Sequence, residues 1–382
     1  MKIAQVTPYD ITHPGGVGQH IHHLQQEFDR MGHEVVILAP RSEKGGGLEV
    51  HPGFYGVGRP IPIPANGSQA RLMFDVTLYN AVKHIMLEEQ FDVVHLHEPL
   101  TPLLPYIVLL NSHSVNVATF HAARATNPWY SMLKPYFGLL MSRLHSRICV
   151  SEPAQQNIQQ YFPDQYKVIP NGIDIDRYSQ EVEPFPWHSD GHPHILFVGR
   201  FNEARKGFKY LLRAMPMIQQ QFPGTRLTVV GPGDRSKFQD LISRYLIRGV
   251  DFVGEVSKDD LPRYYASCDI FCAPSIHGES FGIVLLEAMA TFKPVVASQI
   301  PGYAGVISHE KDGLLVEPRD STAIALAVVR LLSDTSLRQS LSLSGRRTAE
   351  HYAWPRVAAR IVDVYMGCLK ATIPATTHQV RP

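Results

Sequence analysis

Residues 2–24 read KIAQVTPYDITHPGGVGQHIHHL, and this stretch decides the fold class. A short apolar strand pattern runs into a glycine-rich turn, which leads into an amphipathic helical pattern. Gly15, Gly16 and Gly18 would let backbone N–H groups and a helix N-terminus approach a phosphate closely. The glycine spacing is not the dinucleotide-binding fingerprint, and no acidic residue ends the second strand. Taken alone, the turn is either a phosphate-binding loop or a plain hinge.

The same alternation of strand and helix continues along the chain. Strand candidates in the first half are "EVVILA", "DVVHLH", "NVATFH" and "RICVS"; those in the second half include "HILFVGR", "RLTVVG", "IFCAPS" and "PVVAS". Near-continuous apolar strands between helical patterns predict parallel sheets covered on both faces. One sheet of eleven strands is possible, but 382 residues fit two sheets better. We therefore predict an α/β protein with two Rossmann-like, doubly wound parallel-sheet domains.

The predicted domains are an N-terminal one over residues 1–178 and a C-terminal one over 194–356. Between them, residues 179–193 form a proline- and charge-rich linker. A helix over about 357–371 should cross back to the first domain, followed by a disordered tail over 372–382. Ligands of open α/β sheets bind at the carboxyl ends of the strands, so a cleft between two such edges is the predicted active site.

Composition narrows the function classes. With 36 basic and 35 acidic residues the net charge is +1, so no general attraction to nucleic acid is expected. No signal peptide and no apolar run of about 20 residues is present, which predicts a cytoplasmic protein. The four cysteines lack zinc or disulfide spacing, and Cys268 and Cys272 are expected to be buried thiols.

Two cations follow one predicted strand, in "FVGRFNEARKG". Arg200 ends the strand and Lys206 comes six residues later. A guanidinium fork and an ammonium at the carboxyl edge of a sheet suit a diphosphate, although two surface charges would give the same pattern. Gly231 and Gly233, in "VVGPGDRSKF", permit a close backbone approach and are a weaker signal.

Two glutamates flank an apolar run in "HGESFGIVLLEAM". Glu279 and Glu287 are eight residues apart, which is about 12 Å along a continuous helix. A glycosidase pair is separated by roughly 5 to 9.5 Å across one bond. The spacing therefore favours contacts to two ends of an elongated ligand.

Histidines raise the question of a metal. His121 ends a predicted strand, where its imidazole could donate to a sugar hydroxyl or a phosphate. "HIHH" places His20 and His23 on one helix face, and "HLH" holds His95 and His97. No cysteine or carboxylate cluster completes a site, so no metal is predicted.

Together these motifs resemble the retaining, nucleotide-sugar-dependent glycosyltransferases of the GT-B fold, in the large family numbered four. The resemblance covers nearly the whole chain. It runs through "PGGVGQHI", "PNGIDIDRY", "FVGRFNEARKG", "GESFGIVLLEAMA" and "DGLLVEP", and closes with the helix after "YAW". Within the family the chain looks most like the bacterial phosphatidylinositol mannosyltransferases, chiefly through "IPIPANGSQARLMF" at residues 61–74.

The resemblance implies donor-side roles. Gly16 would give its amide to the diphosphate, Arg200 and Lys206 would neutralise it, and His121 would sit against the transferred sugar. Glu279 would hold sugar hydroxyls and Glu287 the ribose hydroxyls. The backbone amides of Phe281, Gly282 and Ile283 would assist Glu279, and Val256 to Lys258 would lie near the base.

On the acceptor side, Tyr9, Asn66, Ser68 and Arg71 match residues expected to meet a polar lipid head group. Two departures weaken this match. "AARATNPWY" follows His121 where the family has a threonine- and serine-rich segment, and Ala65 stands where an aromatic residue is expected.

The implied reaction is metal-independent hexose transfer with retention, needing no cofactor beyond the nucleotide-sugar co-substrate, with two lobes that close on the donor. Mannose from GDP-mannose and a phosphatidylinositol-like acceptor are the first expectation. A UDP-sugar donor acting on diacylglycerol or a soluble acceptor is the alternative. A nucleotide-sugar epimerase would need an acid/base set, which this sequence does not display. A non-catalytic glycan- or lipid-binding module would have no need for Arg200, Lys206, Glu279 and Glu287 together.

Residues 99–151 contain no Asp or Glu, a segment suited to an anionic membrane surface. Cations and aromatic residues alternate within it: Arg124, Trp129, Tyr130, Lys134, Tyr136, Phe137, Arg143 and Arg147. Such interleaving suits the interface of a bilayer, although a core helix with a solvated edge would look similar. The expected location is peripheral, on the inner face of the cell membrane.

Overall fold

A computed structural model describes residues 1–12, 15–42, 53–58, 60–65, 68–73, 78–101, 103–121 and 128–372. The chain divides into two compact units. Unit 1 comprises Met1–Pro170 and the segment that begins at Trp354, and unit 2 comprises Asn171–Ala353.

Unit 1 contains a seven-stranded sheet in the order β3-β2-β1-β6-β7-β8-β9, with every neighbouring pair parallel. A separate antiparallel pair, β4 with β5, joins residues of the "IPIPANGSQARLMF" segment. The strands are β1 (Lys2–Val6), β2 (Glu34–Ala39), β3 (Phe54–Gly56), β4 (Pro60–Ala65), β5 (Ser68–Met73), β6 (Val93–His97), β7 (Val115–Phe120), β8 (Ser146–Cys149) and β9 (Lys167–Val168).

The helices between these strands make the parallel crossovers. They are α1 (Gly16–Arg30), α2 (Leu78–Glu89), α3 (Leu104–Asn111), α4 (Pro128–Met132), α5 (Lys134–Met141) and α6 (Glu152–Gln159). Ser151 caps α6, because its side chain accepts a hydrogen bond from the Ala154 amide, which has no acceptor inside the helix.

Unit 2 contains a six-stranded parallel sheet in the order β12-β11-β10-β13-β14-β15. Its strands are β10 (His194–Val198), β11 (Arg226–Val230), β12 (Val250–Gly254), β13 (Ile270–Ala273), β14 (Val295–Ser298) and β15 (Leu314–Val316). Its helices are α7 (Phe208–Gln221), α8 (Ser236–Arg244), α9 (Leu261–Ser267), α10 (Ile283–Ala290), α11 (Pro301–Ala304), α12 (Ser321–Ser333) and α13 (Thr335–His351).

The helix after unit 2, α14 (Trp354–Thr372), packs in unit 1. Its buried residues Val357, Ile361 and Tyr365 join the core formed by α1 and one face of the first sheet. It covers the helix expected over 357–371, and Thr372 ends it. The remainder of the expected tail lies outside the described residues.

Both sheets are buried on two faces. In β1, Ile3 belongs to the core beside α1 and α14, whereas Ala4 and Val6 belong to the core beside α2, α3, α5 and α6. In β13, Cys272 and Phe271 point to different cores of unit 2 in the same way. Successive side chains of a strand alternate faces, so an apolar run without polar interruption is what a doubly covered strand requires. The predicted pair of doubly wound parallel sheets is confirmed.

Unit 1 ends earlier than the predicted residue 178. Ile173 forms a parallel bridge with Ala353, and Ile173 and Tyr178 pack into the core of unit 2. The predicted linker, residues 179–193, also lies in unit 2, where Pro186–Ser189 forms a short 3-10 helix. Cys268 and Cys272 are buried thiols as predicted. None of the helices in the described ranges combines the length and apolar character that crossing a bilayer requires.

Candidate active site

The loop after β10 in unit 2 holds the predicted diphosphate cations. Arg200 follows Gly199, and Lys206 closes a short 3-10 helix, Ala204–Lys206. Gly207 then takes the left-handed conformation at φ 68° before α7 begins. A Cβ on Gly207 would lie 1.8 Å from the Pro274 carbonyl oxygen, so only glycine lets this loop approach the one after β13 so closely.

Glu279, in the loop after β13, is the meeting point of two cations. Lys206 Nζ lies 2.8 Å and an Arg205 guanidinium nitrogen 2.7 Å from Glu279 Oε1. The Ser275 hydroxyl donates to the same oxygen at 3.3 Å and accepts from the Tyr303 hydroxyl at 2.9 Å. This carboxylate is therefore fixed by ion pairs and hydrogen bonds at the carboxyl edge of the second sheet.

Arg200 lies on the same loop and is 49% exposed. It contacts Glu203 at 3.1 Å, and Glu203 also pairs with Arg205 at 2.7 Å. Three cations, Arg200, Arg205 and Lys206, thus share two carboxylates, those of Glu203 and Glu279. The group carries one net positive charge, and its most exposed member is a guanidinium able to bind an anion through two N–H groups.

Glu279 lies before α10 and not on it, because Gly282 interrupts the helical conformation at φ 88°. A Cβ on Gly282 would lie 2.7 Å from the Tyr303 ring, so this turn also requires glycine. The helical estimate of about 12 Å between Glu279 and Glu287 therefore does not apply. Phe281 and Gly282 are buried, and Ile283 is the first residue of α10, where backbone amides have no acceptor within the helix.

Glu287, within α10, is held by two tyrosines. The Tyr178 hydroxyl donates to Oε1 at 3.2 Å and the Tyr265 hydroxyl donates to Oε2 at 2.7 Å. Burial raises the pKa of Glu287 above its usual value, and the two hydrogen bonds oppose that rise. Burial also raises the pKa of both phenols, so Tyr178 and Tyr265 remain protonated donors. Each carboxylate oxygen keeps a lone pair for a further hydrogen bond.

The remaining residues of unit 2 lie at the same edge of its sheet. Val256 and Lys258 follow β12; Val256 packs against the core and Lys258 is exposed. Gly231 and Gly233 make their close approach to the protein itself: a Cβ would lie 2.4 Å from the Gly199 carbonyl oxygen and 2.4 Å from the Phe201 ring, respectively.

In unit 1, Tyr9 follows β1, His121 directly follows β7, and Gly16 is the exposed first residue of α1. Parallel strands end at one edge, so Tyr9 and His121 belong to the carboxyl edge of the first sheet. Ser68 and Arg71 lie in β5, paired with Ala65 and Pro62 of β4. Asn66, between these strands, is outside the described residues.

His121 belongs to a cluster of histidine rings. His121 Nε2 lies 3.0 Å from His97 Nδ1, and its backbone amide donates to Glu98 at 2.6 Å. The His20 ring lies 4.8 Å from the His121 ring, centroid to centroid. Burial, with the neighbouring histidines, holds the pKa of His97 and His121 well below the usual value of a histidine. Both rings are neutral at neutral pH.

Several residues that contact the two glutamates were not predicted from the sequence. Arg205 lies inside the quoted motif "FVGRFNEARKG" and Tyr178 ends "PNGIDIDRY", but neither was assigned a role. Ser275 and Tyr265 carry no motif at all, and only the packing of β13, α9 and α10 reveals them. Being adjacent to Lys206 was the one available signal for Arg205.

Two family models match the chain. Residues 192–334 match "Glycosyl transferases group 1" and residues 14–177 match "Glycosyltransferase Family 4". Among curated proteins, the phosphatidyl-myo-inositol mannosyltransferase of Mycobacterium leprae (strain TN) is 34% identical over 365 residues, covering 96% of each chain. Its namesake from Mycobacterium tuberculosis (strain ATCC 25618 / H37Rv) is 35% identical over 373 residues, also with 96% of each chain covered.

Solved structures share the fold at lower identity. Sucrose-phosphate synthase from Thermosynechococcus elongatus superposes with a TM-score of 0.75 at 21% identity, covering 97% of this chain and all of the other. A glycosyltransferase from Rickettsia africae ESF-5 gives 0.78 at 19% identity, covering 97% and 98%. The predicted GT-B fold is confirmed by these likenesses together with the two parallel sheets.

Proposed function

This chain belongs to the group 1, family 4 glycosyltransferases. We propose that it transfers mannose from GDP-mannose to a phosphatidylinositol-like lipid. One observation carries the proposal: Lys206 and Arg205 converge on Glu279 beside the exposed Arg200. This arrangement suits a ligand that combines a diphosphate with a neutral, hydroxyl-rich sugar. The names of relatives that match over 96% of the chain support mannose and the lipid acceptor.

The diphosphate is assigned to Arg200 and Lys206. Before binding, the three cations and the two carboxylates of this group carry a net charge of +1, which offsets part of the negative charge of a diphosphate. Arg200 has only a partly exposed pairing with Glu203 to give up, and exposed pairs of this kind contribute little stability. Exchange of that carboxylate for a phosphate oxygen therefore costs little free energy.

The sugar and the ribose are assigned to the two glutamates. Glu279, held by Lys206 and Arg205, accepts hydrogen bonds from sugar hydroxyls, with the amides of Phe281, Gly282 and Ile283 as donors. Glu287, oriented by Tyr178 and Tyr265, accepts from ribose hydroxyls. The two carboxylates thus bind different parts of one donor and share no reaction step.

The chemistry we propose is transfer with retention. The bond from the anomeric carbon to the diphosphate oxygen breaks, and the acceptor hydroxyl bonds to that carbon on the same face. The acceptor proton passes to the leaving diphosphate oxygen, so no external base or metal is required. Catalysis then rests on positioning and on stabilising the negative charge that develops on the diphosphate, as Arg200 and Lys206 would do.

Residues of unit 1 are assigned to the remaining contacts. Gly16 offers the exposed amide at the start of α1 for phosphate, and the neutral imidazole of His121 offers a hydrogen bond to the transferred sugar. Tyr9, Ser68 and Arg71, with Asn66, are assigned to the lipid head group.

We also propose that unit 1 binds an anionic membrane surface, on the inner face of the cell membrane. Helices α4 and α5 expose large apolar side chains: Met132 is 63% and Leu139 is 62% exposed, and Tyr136 is also exposed. Lys134 is exposed among them. Apolar groups that enter the acyl boundary next to a cation that meets anionic head groups are the two requirements of an interfacial segment.

Transfer assays with labelled donors test the function. Purified protein is incubated with GDP-mannose or UDP-glucose, with and without phosphatidylinositol vesicles, and lipid-linked label is counted. We expect label only from GDP-mannose with phosphatidylinositol; transfer from UDP-glucose alone would overturn the donor assignment.

A matched pair of variants tests the site. Glu279→Gln should lower kcat by about 100-fold or more, the usual cost of one charge-stabilising group, without unfolding. Glu310→Gln makes the same change at an exposed glutamate of unit 2 that pairs with Arg330, and should leave transfer unchanged. Equal activity of the two variants would remove Glu279 from the site.

A further inference from the structure

Three histidines from distant parts of unit 1 bring their ring nitrogens together. His20 lies on α1, His97 ends β6 and His121 follows β7. One nitrogen from each ring lies within 4.8 Å of the other two, and His97 Nδ1 and His121 Nε2 are 3.0 Å apart. In a tetrahedral zinc site, bonds of about 2.0–2.1 Å place ligand nitrogens roughly 3.3 Å from each other. The observed separations bracket that value. We propose that His20, His97 and His121 bind a divalent transition metal of the zinc class.

The tautomer of His97 suits a ligand. Its Nε2 lies 2.6 Å from the Oε1 of Gln5, a fully buried residue of β1. An amide oxygen accepts, so the ring proton is on Nε2 and the Nδ1 lone pair faces the cluster. Histidines that bind metals characteristically donate their second ring N–H to a fixed acceptor in this way.

His121 can become a ligand by a change of tautomer, without gain or loss of a proton. With the His97 Nδ1 lone pair as acceptor, His121 donates its Nε2–H across the 3.0 Å contact. Metal binding would move that proton to Nδ1 of His121 and free Nε2 as a ligand. His95 stays outside the set, because Tyr365 at 2.6 Å and Thr119 at 2.7 Å occupy both of its ring nitrogens.

The charge near the three histidines and the exposure of His121 also suit a metal ion. The buried carboxylate of Glu98 contacts the His121 backbone amide at 2.6 Å and would offset a dication placed beside it. The Trp354 ring packs edge-on against His20 at 5.2 Å and fixes its orientation. His121 is only partly buried, which leaves a route for the ion. Three imidazoles leave the fourth tetrahedral position to water or another ligand, and imidazole donors favour zinc, cobalt, nickel or copper over magnesium or calcium.

The consequence for activity rests on the proposed function. His121 is assigned to the transferred sugar, and an ion on its Nε2 would take away that hydrogen bond. The metal would therefore inhibit transfer, and removing it would restore activity.

Cobalt binding tests the site directly. The full chain, prepared without a histidine tag, is freed of metal with EDTA and of EDTA by dialysis, then titrated with CoCl2. We expect one ion per chain, a visible absorption band of tetrahedral cobalt, and loss of that band when ZnCl2 is added. Absence of the band, or binding of cobalt without tetrahedral geometry, would overturn the proposal.

Variants separate the cluster from the other histidines of the chain. His20→Ala should weaken zinc binding by more than about 100-fold, beyond the 10- to 100-fold typical of losing an outer partner of a ligand. His22→Ala removes an exposed histidine two residues away on the same helix and should bind as the wild type does. If His20→Ala does not fold, His20→Asn, which keeps a polar side chain, decides the question.

Equal zinc affinity for the His20 and His22 variants would refute the site. A thermal melt adds a second readout: zinc should raise the melting temperature of the wild type and not that of the His20 variant. Zinc that binds through His20 without slowing transfer would leave the metal site intact and refute only the assignment of His121 to the sugar.

Discussion

Substitution of Gly207 by alanine tests whether the close approach of two loops holds the donor site together. Two costs arise at this position. The left-handed backbone at φ 68° costs a non-glycine residue about 1–2 kcal/mol. The added methyl would lie 1.8 Å from the backbone oxygen of Pro274, so the loops must separate, at the cost of about 1–3 kcal/mol typical of overpacking. The sum is about 2–5 kcal/mol.

Gly191→Ala is the matched control. Gly191 lies in the same unit at φ 83°, and nothing lies within 4 Å of the position its Cβ would take. Gly191→Ala should therefore lose only about 1–2 kcal/mol of stability, which is what the left-handed backbone costs. For a unit of this size, 1 kcal/mol shifts the melting temperature by about 2–4 °C. We expect Gly207→Ala to melt about 4–20 °C below the wild type and Gly191→Ala about 2–8 °C below it.

The assay is thermal unfolding followed by circular dichroism, with donor KM measured at a temperature where both variants are folded. Gly207 immediately follows Lys206, and separating the loops would lengthen the 2.8 Å contact between Lys206 and Glu279. Donor KM should therefore rise in Gly207→Ala and not in Gly191→Ala. Equal melting temperatures for the two variants would refute the reasoning, because they would show that the contact with Pro274 costs nothing.

Three further outcomes are expected. Burial raises the pKa of Glu287 above its ordinary value of 4.5, so its contribution to stability is greatest below pH 4.5 and is lost as pH rises through the folded-state pKa. The stability of Glu287→Gln in urea, relative to wild type, should therefore increase as pH rises from 4.5 through that pKa, and a relative decrease would contradict this. Arg205→Gln removes one of the two cations on Glu279 and should lower kcat/KM about 10- to 100-fold, the value of a hydrogen bond to a charged group, whereas an unchanged rate constant would exclude Arg205 from the donor site. Met132→Ser with Leu139→Ser should reduce co-sedimentation with anionic vesicles without changing the melting temperature, and undiminished binding would remove α4 and α5 from the membrane contact.

The sheets were predictable because their strands are buried on both faces. Apart from its first residue, a run such as "EVVILA" has apolar side chains on both faces, which is typical of a doubly covered parallel strand. The first boundary was predicted less well. Residues 171–178 come two residues after β9 and were expected to belong to the first domain, but Ile173 and Tyr178 pack into the core of unit 2. Local pattern does not reveal which of two cores a side chain joins.

The candidate site also has a part that the sequence predicts and a part that only the fold reveals. Arg200, Lys206, Glu279 and Glu287 stand in motifs and could be selected from sequence. Their partners could not be: Tyr265 approaches Glu287 only because α9 and α10 pack on one face of the second sheet. The histidine cluster is the clearest case, since "HIHH" shows only that His20 and His23 share one helix face. In the fold, His20 faces His97 and His121. His97 ends β6 and His121 follows β7, and these strands are neighbours only because of the strand order of the sheet.

The position of α14 has a consequence for how the chain folds during synthesis. Unit 2 is continuous in sequence, whereas unit 1 needs a helix translated after unit 2. A ribosome therefore releases unit 2 with all its parts while the first sheet still exposes the apolar face that α14 covers. Tyr365, the partner of His95, and Trp354, the partner of His20, are among the residues that arrive late. Of the two units, the one translated first therefore finishes folding last, and a nascent chain stalled before residue 354 would present that uncovered face to chaperones.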